Sequence, residues 1–285
     1  TDTVLGFRDQ AGNLVNKDNE LKYIRADHFV AGASFLSEFK AKFSIEGFWK
    51  NYSNYPFSVN DSISLANVGS DFGIVGNEEV TSTSEGRAYG LEFLYQQKLV
   101  KGFYGILAYT LVNSEFLTKD GIYAPSSWDS KHIVSLTAGK RFKKGWELGF
   151  RWLFSGGAPY TPVDVATSSI KEVWDVNGQG LLDYNRLNQA RGSDYHQLNI
   201  RLDKRFDLKK MSLQLYLDIQ NAYAYQTTLA PILLVVKDEN GNPLTDPNDP
   251  SRYQTKFVEN TSGILQPSIG IIFEFKVMSQ EKSAE

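Results

Sequence analysis

Residues 194–223, DYHQLNIRLDKRFDLKKMSLQLYLDIQNAY, alternate apolar and polar side chains through two segments joined by a short polar turn. In the second segment Met211, Leu213, Leu215, Leu217 and Ile219 fall on one side, with Ser212, Gln214, Tyr216, Asp218 and Gln220 on the other. The first segment sets Leu198, Ile200, Leu202 and Phe206 opposite Gln197, Asn199, Arg201, Asp203 and Arg205. Side chains change sides at every residue only in an extended strand, so the segments and the turn Asp207-Leu208-Lys209-Lys210 predict a β-hairpin. The strands are long and their polar face carries charges at mid-strand. A soluble sandwich turns such a face to water; a transmembrane barrel turns it to its lumen and the apolar face to lipid.

Composition leaves the membrane reading open. The 285 residues are 41% hydrophobic, with 15 Tyr and 18 Phe. Nothing approaches the roughly 20 consecutive apolar residues of a membrane helix, but alternation hides the apolar half of a barrel strand. With no Cys, disulfides, thiol catalysis and Cys-ligated metal are excluded. A net charge of −3 without a basic stripe argues against a nucleic-acid partner. Residues 1–19 have neither the basic start nor the apolar core of a signal peptide.

The pattern extends along the chain. Strands are predicted at roughly 23–38, 41–52, 84–99, 103–116, 129–142, 146–156, 194–206, 211–223 and 265–277. Long loops are predicted at 53–83, 117–128, 157–193 and 224–263, and a polar tail at 278–285. Short turns and long loops alternate without exception, the asymmetry of outer-membrane barrels, whose periplasmic turns are short and external loops long. Tyr89, Leu91, Phe93 and Tyr95 form one apolar set; others are Val134, Leu136 and Ala138, then Trp146, Leu148, Phe150, Trp152 and Phe154, and finally Ile269, Ile271, Phe273 and Phe275. Opposite them fall Glu92, Arg141, Glu147, Arg151, Arg201, Asp203, Asp218 and Glu274. A cation on the lipid face would cost about 2–4 kcal/mol at mid-depth, so these charges are expected to point into a lumen. Phe142, Trp146 and Tyr223 sit near strand ends, where aromatic girdles belong. An odd count of nine strands would leave two open edges in lipid, which predicts an all-β, antiparallel transmembrane barrel continued by strands outside this chain.

Five motifs carry a family resemblance: 86–92 (GRAYGLE), 154–162 (FSGGAPYTP), 195–201 (YHQLNIR), 215–221 (LYLDIQN) and 267–275 (PSIGIIFEF). In this order, on their expected strands, they resemble the TonB-dependent outer-membrane receptors over roughly residues 23–277. The resemblance implies the last nine strands of a barrel of about 22, in the outer membrane of a Gram-negative bacterium. It also implies partners: the bilayer, the earlier barrel strands and plug of the same receptor, and the TonB complex acting through that missing part. The implied function is import of a scarce nutrient, of the siderophore, cobalamin, oligosaccharide or peptide class. A passive pore without a plug is the alternative.

No enzyme, cofactor or metal motif emerges. His28, His132 and His196 lack ligand spacing and read as strand residues at the lumen or interface. Asp238, Asn240 and Asn242 begin like a calcium loop, but Pro243 stands at position six and Asp249 at position twelve, so a turn is the better reading. Asn51, Asn60 and Asn260 head glycosylation-type triplets that read as chance in a bacterial envelope protein. The lumen charges allow two roles: cross-strand pairs that satisfy a polar interior, or contacts to a plug and substrate route. Trp174, Tyr184 and Arg186 combine flat faces with a charged donor and are the loop residues best suited to grip a ligand. Packing the loop onto itself is their alternative role.

Overall fold

The computed structural model describes residues 2–67, 77–209 and 211–275. Nine long strands lie side by side in sequence order in one antiparallel sheet. They are β1 (Arg25–Leu36), β2 (Ala41–Ser58), β3 (Val80–Val100), β4 (Phe103–Leu117), β5 (Lys131–Arg141), β6 (Trp146–Ser155), β7 (Tyr195–Asp207), β8 (Met211–Gln220) and β9 (Gln266–Phe275). A short strand, Tyr123–Pro125, pairs with the end of β4. Each strand pairs with its neighbours in sequence, leaving β1 and β9 with one unpaired edge each among the described residues. Short turns therefore gather at one end of the sheet and long connections at the other.

Register carries the alternation across strands. Ile219, Ile200, Phe150 and Ala138 line up as one apolar rung, and Tyr216, Asp203, Glu147 and Arg141 as one charged rung. Among the described residues nothing covers the apolar face: Ile269 is 82% exposed and Phe275 76%, while the fully buried side chains include Asn16, Ser58 and Asp129. A sheet this inside-out requires an apolar surrounding for its outer face. On the charged face, rings fill the space beside glycines of the next strand, Tyr104 against Gly139 and Tyr216 against Gly270. The turns are fixed by left-handed backbone at Gly102 (φ +85) and Gly145 (φ +76). A Cβ on Gly102 would stand 2.5 Å from the Arg141 carbonyl oxygen, and one on Gly145 would clash with that of Arg205.

The structure departs from the pattern reading mainly at the loop end. β2 continues to Ser58 and β3 starts at Val80, so the loop expected at 53–83 is shorter. The Ser- and Asn-rich ends remain strand because Tyr52 and Tyr55 pack on Phe116 across the sheet. The opening expected to be merely polar contains α1 (Asp2–Gly6) and α2 (Val15–Asp18). Asn16 is fully buried there, donating to the Val4 and Glu78 carbonyls and accepting from the Val80 amide. The loop 157–193 holds α3 (Val165–Ser168) and α4 (Lys171–Asn177), and the loop 224–263 holds the ladder Ile232–Val235 with Thr255–Val258. β8 ends at Gln220, before the left-handed Asn221, so Tyr223 lies past the strand. Lys210 of the expected turn, Val277 and the tail 278–285 lie outside the described residues.

Candidate functional site

Near the short-turn end, the charged face gathers three neighbouring groups of paired charges. Arg201 pairs with Asp203 at 2.9 Å, reaches Asp218 at 3.8 Å, and lies 4.1 Å from the Tyr216 ring centre. Asp203 also accepts from Gln214 at 2.7 Å. Glu147 accepts from Tyr104 at 2.7 Å and from Arg141 at 3.0 Å. Farther along, Glu274 meets Arg205 at 2.9 Å and Ser212 at 3.0 Å. Alternation places these side chains on one face, and the register brings charges from five strands within reach. The arginine side chains keep a third or more of their exposure, so in water each pair is worth at most about 1 kcal/mol.

Two predicted members stand apart. Glu92 faces Glu46 in direct register, and neither has an ion-pair partner among the described residues. Like charges directly opposite destabilise a sheet, so this rung suits a cation brought by another segment or by a ligand. Arg151, opposite Thr137 and Asn199, is exposed and likewise free of carboxylates among the described residues. Alternation alone does not single out Glu46, because it weighs strands one at a time and not rung by rung.

The long loops are stitched to one another. Arg252 pairs with Asp249 at 2.9 Å and also donates to the Ala166 carbonyl and to Ser169, tying the loop 224–263 onto α3. Asp164 caps α3 by accepting from the Thr167 amide and hydroxyl, which holds its carboxyl below the usual range. Lys119 reaches Asn185, and Asn188 reaches the Pro125 carbonyl. Of the candidate gripping residues, Trp174 is half-buried on α4, while Tyr184 and Arg186 share the 3-10 turn Tyr184–Arg186. Arg186 donates to Asp183 at 2.7 Å, holding that carboxyl below its ordinary range. Tyr184 is half-buried beside Asp61 and Glu78 of the loop between β2 and β3; burial first, then those two charges, push its phenol up to about 12.

This predicts an alkaline weakness. The unfolded phenol ionises near its ordinary value of about 10 and the folded one only about two units higher. Tyr184 thus contributes fully below pH about 10, and the contribution is lost as pH rises from there toward 12. Tyrosinate absorbance and loop hydrogen exchange should show the loop 157–193 loosening in that window, and Tyr184→Phe should remove the step. An unchanged step in Tyr184→Phe would place its origin elsewhere.

Asp129 is a residue that sequence reasoning misses. Its side chain is fully buried between Arg191 at 2.5 Å and Lys131 at 3.1 Å, and it accepts from the Ser114 amide at 2.8 Å. Arg191 also donates to the Asp129 and Gly157 carbonyls. One carboxylate therefore joins β4, β5 and the loop 157–193. In sequence its only signal is an Asp beside Trp128 at a strand start, which resembles any loop aspartate.

The histidines engage tyrosines. His132 is hydrogen-bonded to Tyr109 at 2.9 Å, His196 to Tyr223 at 2.7 Å, and His28 packs edge-on against Tyr52. Asp238 accepts from the Asn240 and Asn242 amides, closing its own turn. Among the described residues no group of three or more His, Asp and Glu converges as a metal site.

Residues 3–222 match the family model described as TonB dependent receptor-like, beta-barrel. No curated protein matches the sequence. Solved structures share the fold at low identity. The ferripyoverdine receptor of the Pseudomonas aeruginosa outer membrane has 12% identity and a TM-score of 0.52, covering 93% of this chain and 29% of its own. The ferric yersiniabactin uptake receptor FyuA of Yersinia pestis has 11% identity and a TM-score of 0.51, covering 90% and 30%. The ferric-catecholate import receptor Fiu of E. coli K12 has 13% identity and a TM-score of 0.50, covering 89% and 28%. The chain thus spans under a third of the length of these receptors.

Proposed function

Because this chain belongs to the TonB-dependent receptor-like β-barrel family, we propose that it forms the last nine strands of an outer-membrane barrel of about 22. In that barrel it would serve TonB-dependent import of a scarce nutrient. The observation that carries the reading is the sheet itself, charged on one face and, among the described residues, apolar and uncovered on the other, with an unpaired edge at each end. Open edges are not tolerated in lipid, so further strands must close it. A plug would fill the lumen against the charged face, and the opposed Glu46 and Glu92 would receive a cation from it. The stitched external loops would hold the ligand, with Trp174, Tyr184 and Arg186 at its approach. Siderophores head the candidate classes because the three solved receptors are named for them; cobalamin, oligosaccharides and peptides fit the same architecture.

The test is deletion of residues 157–193 in the full receptor. Ligand binding and TonB-dependent uptake should both be lost while the barrel still assembles. Binding and uptake that survive the deletion would show that the binding surface lies elsewhere. A passive pore, the rival, predicts uptake that continues without TonB.

A further inference from the structure

Charge is distributed unevenly between the two ends of the sheet. The four short-turn segments, 37–42, 98–103, 140–146 and 204–211, hold twelve Lys and Arg against two Asp and Glu. The whole chain has 30 and 33, so everything else carries 18 cations against 31 anions. The turn end is strongly basic in an otherwise acidic chain.

Two of these cations occupy the wrong face for a lumen role. Lys140 stands opposite Leu148, and Lys204 opposite Trp146 and Leu215, all in the apolar rows. Arg141 and Arg205, one residue along from each lysine, face the other way and are met by Glu147 and Glu274. Lys140 and Lys204 have no carboxylate partner among the described residues. Their ammonium groups lie over rings instead. Lys140 is 3.9 Å from the Phe103 centroid and 5.4 Å from that of Phe142. Lys204 is 5.1 Å from Trp146 and 5.0 Å from Phe206, and also donates to the Lys144 carbonyl. β6 runs between their strands, meeting Lys140 at Leu148 and Lys204 at Trp146, so the two backbones are about 12 Å apart across β6. Lys143 and Lys144 of the turn are exposed just beyond.

From this arrangement we infer a binding site for anionic phospholipid headgroups at the short-turn rim, with Lys140 and Lys204, on either side of β6, as its phosphate-binding pair. The inference rests on the barrel reading, which puts this face in the bilayer and this rim at the periplasmic leaflet. Cations at an aromatic girdle extend along the wall to reach headgroup phosphates while their stems stay in apolar surroundings. Their position in the lipid-facing rows selects a lipid over an acidic periplasmic protein, which would meet the turn tips. Neutralised lumen arginines beside unneutralised lipid-side lysines are the pattern expected if lipid supplies the missing anion.

The test uses the full receptor, free of other cysteines, with Leu148→Cys carrying a bimane reporter. It is reconstituted in phosphatidylcholine vesicles containing phosphatidylglycerol, with one or the other lipid brominated. Phosphatidylglycerol should be enriched at the reporter by about fivefold for each lysine, the fold-change of one basic residue at an anionic surface. The preference should shrink with salt, vanish in K140Q/K204Q, and survive excess inorganic phosphate at constant ionic strength. Equal quenching by both lipids in the unsubstituted wall overturns the proposal. So does a preference that persists in K140Q/K204Q, or one that free phosphate abolishes. Unchanged quenching by brominated phosphatidylcholine in K140Q/K204Q shows that the variant has assembled. No quenching by either lipid would sink the barrel reading itself, and the site with it.

Discussion

Leu217→Arg is expected to abolish assembly of the receptor in its membrane, whereas Gln214→Arg on the same strand should be tolerated. Leu217 stands in register with Leu202 and Ile269, in the middle of the apolar face. An arginine there would meet hydrocarbon at a cost of about 2–4 kcal/mol, which lowers the assembled fraction by tens- to nearly a thousandfold. Gln214 lies on the charged face and already donates to Asp203 at 2.7 Å, so an arginine would replace one donor by a stronger one. Leu215 should show an intermediate cost, because it pairs with Lys204 and so lies nearer the rim. The measurement is the fraction of full receptor recovered in the outer membrane that resists unfolding in detergent without heating. Equal losses for Leu217→Arg and Gln214→Arg would mean that the faces are assigned the wrong way round.

Asp129→Ala should produce the largest effect among the loops. The substitution removes the fully buried carboxylate that Arg191, Lys131 and the Ser114 amide share, leaving the amide unpaired and Arg191 with only the Asp129 and Gly157 carbonyls. The cations left behind are about a third exposed and can be hydrated, so the cost should be that of the lost hydrogen bonds, about 1–3 kcal/mol. Since the carboxylate joins two strand ends to one loop, that cost should appear as local opening. Hydrogen exchange across residues 157–193 should accelerate by about ten- to a hundredfold, as a penalty of this size implies, while exchange in β7 and β8 stays slow. Arg191→Ala should cost less, because Asp129 keeps Lys131 and the Ser114 amide. If Asp129→Ala left exchange in the loop unchanged, the staple would hold nothing.

The wall was legible because strand chemistry is local. Period-two alternation in 194–223 assigns a face to each side chain from sequence alone. The structure puts Arg201 and Asp203 on one face and Ile200 and Leu202 on the other, as the alternation requires. The short turns were legible for the same reason, since Lys-Gly pairs at 101–102 and 144–145 mark left-handed backbone. The loop end was not legible. α3, α4 and the ladder from Ile232 to Val258 depend on contacts between segments far apart, such as Arg252 with Ser169 and Lys171 with Thr245. A polar stretch with turn residues reads as irregular chain until its partner is known.

By itself, then, the sequence determined the element type, the two faces and the family, since all three follow from side-chain order along single strands and short motifs. Only the tertiary structure decided which charges meet. Register placed Glu46 opposite Glu92 with no neutralising partner among the described residues, and loop packing buried Asp129 between two cations. It also showed Lys140 and Lys204 on the apolar side, over aromatic rings and without carboxylate partners among the described residues. Electrostatic roles depend on distance, and distances between residues tens of positions apart are set by strand register, which no single strand contains.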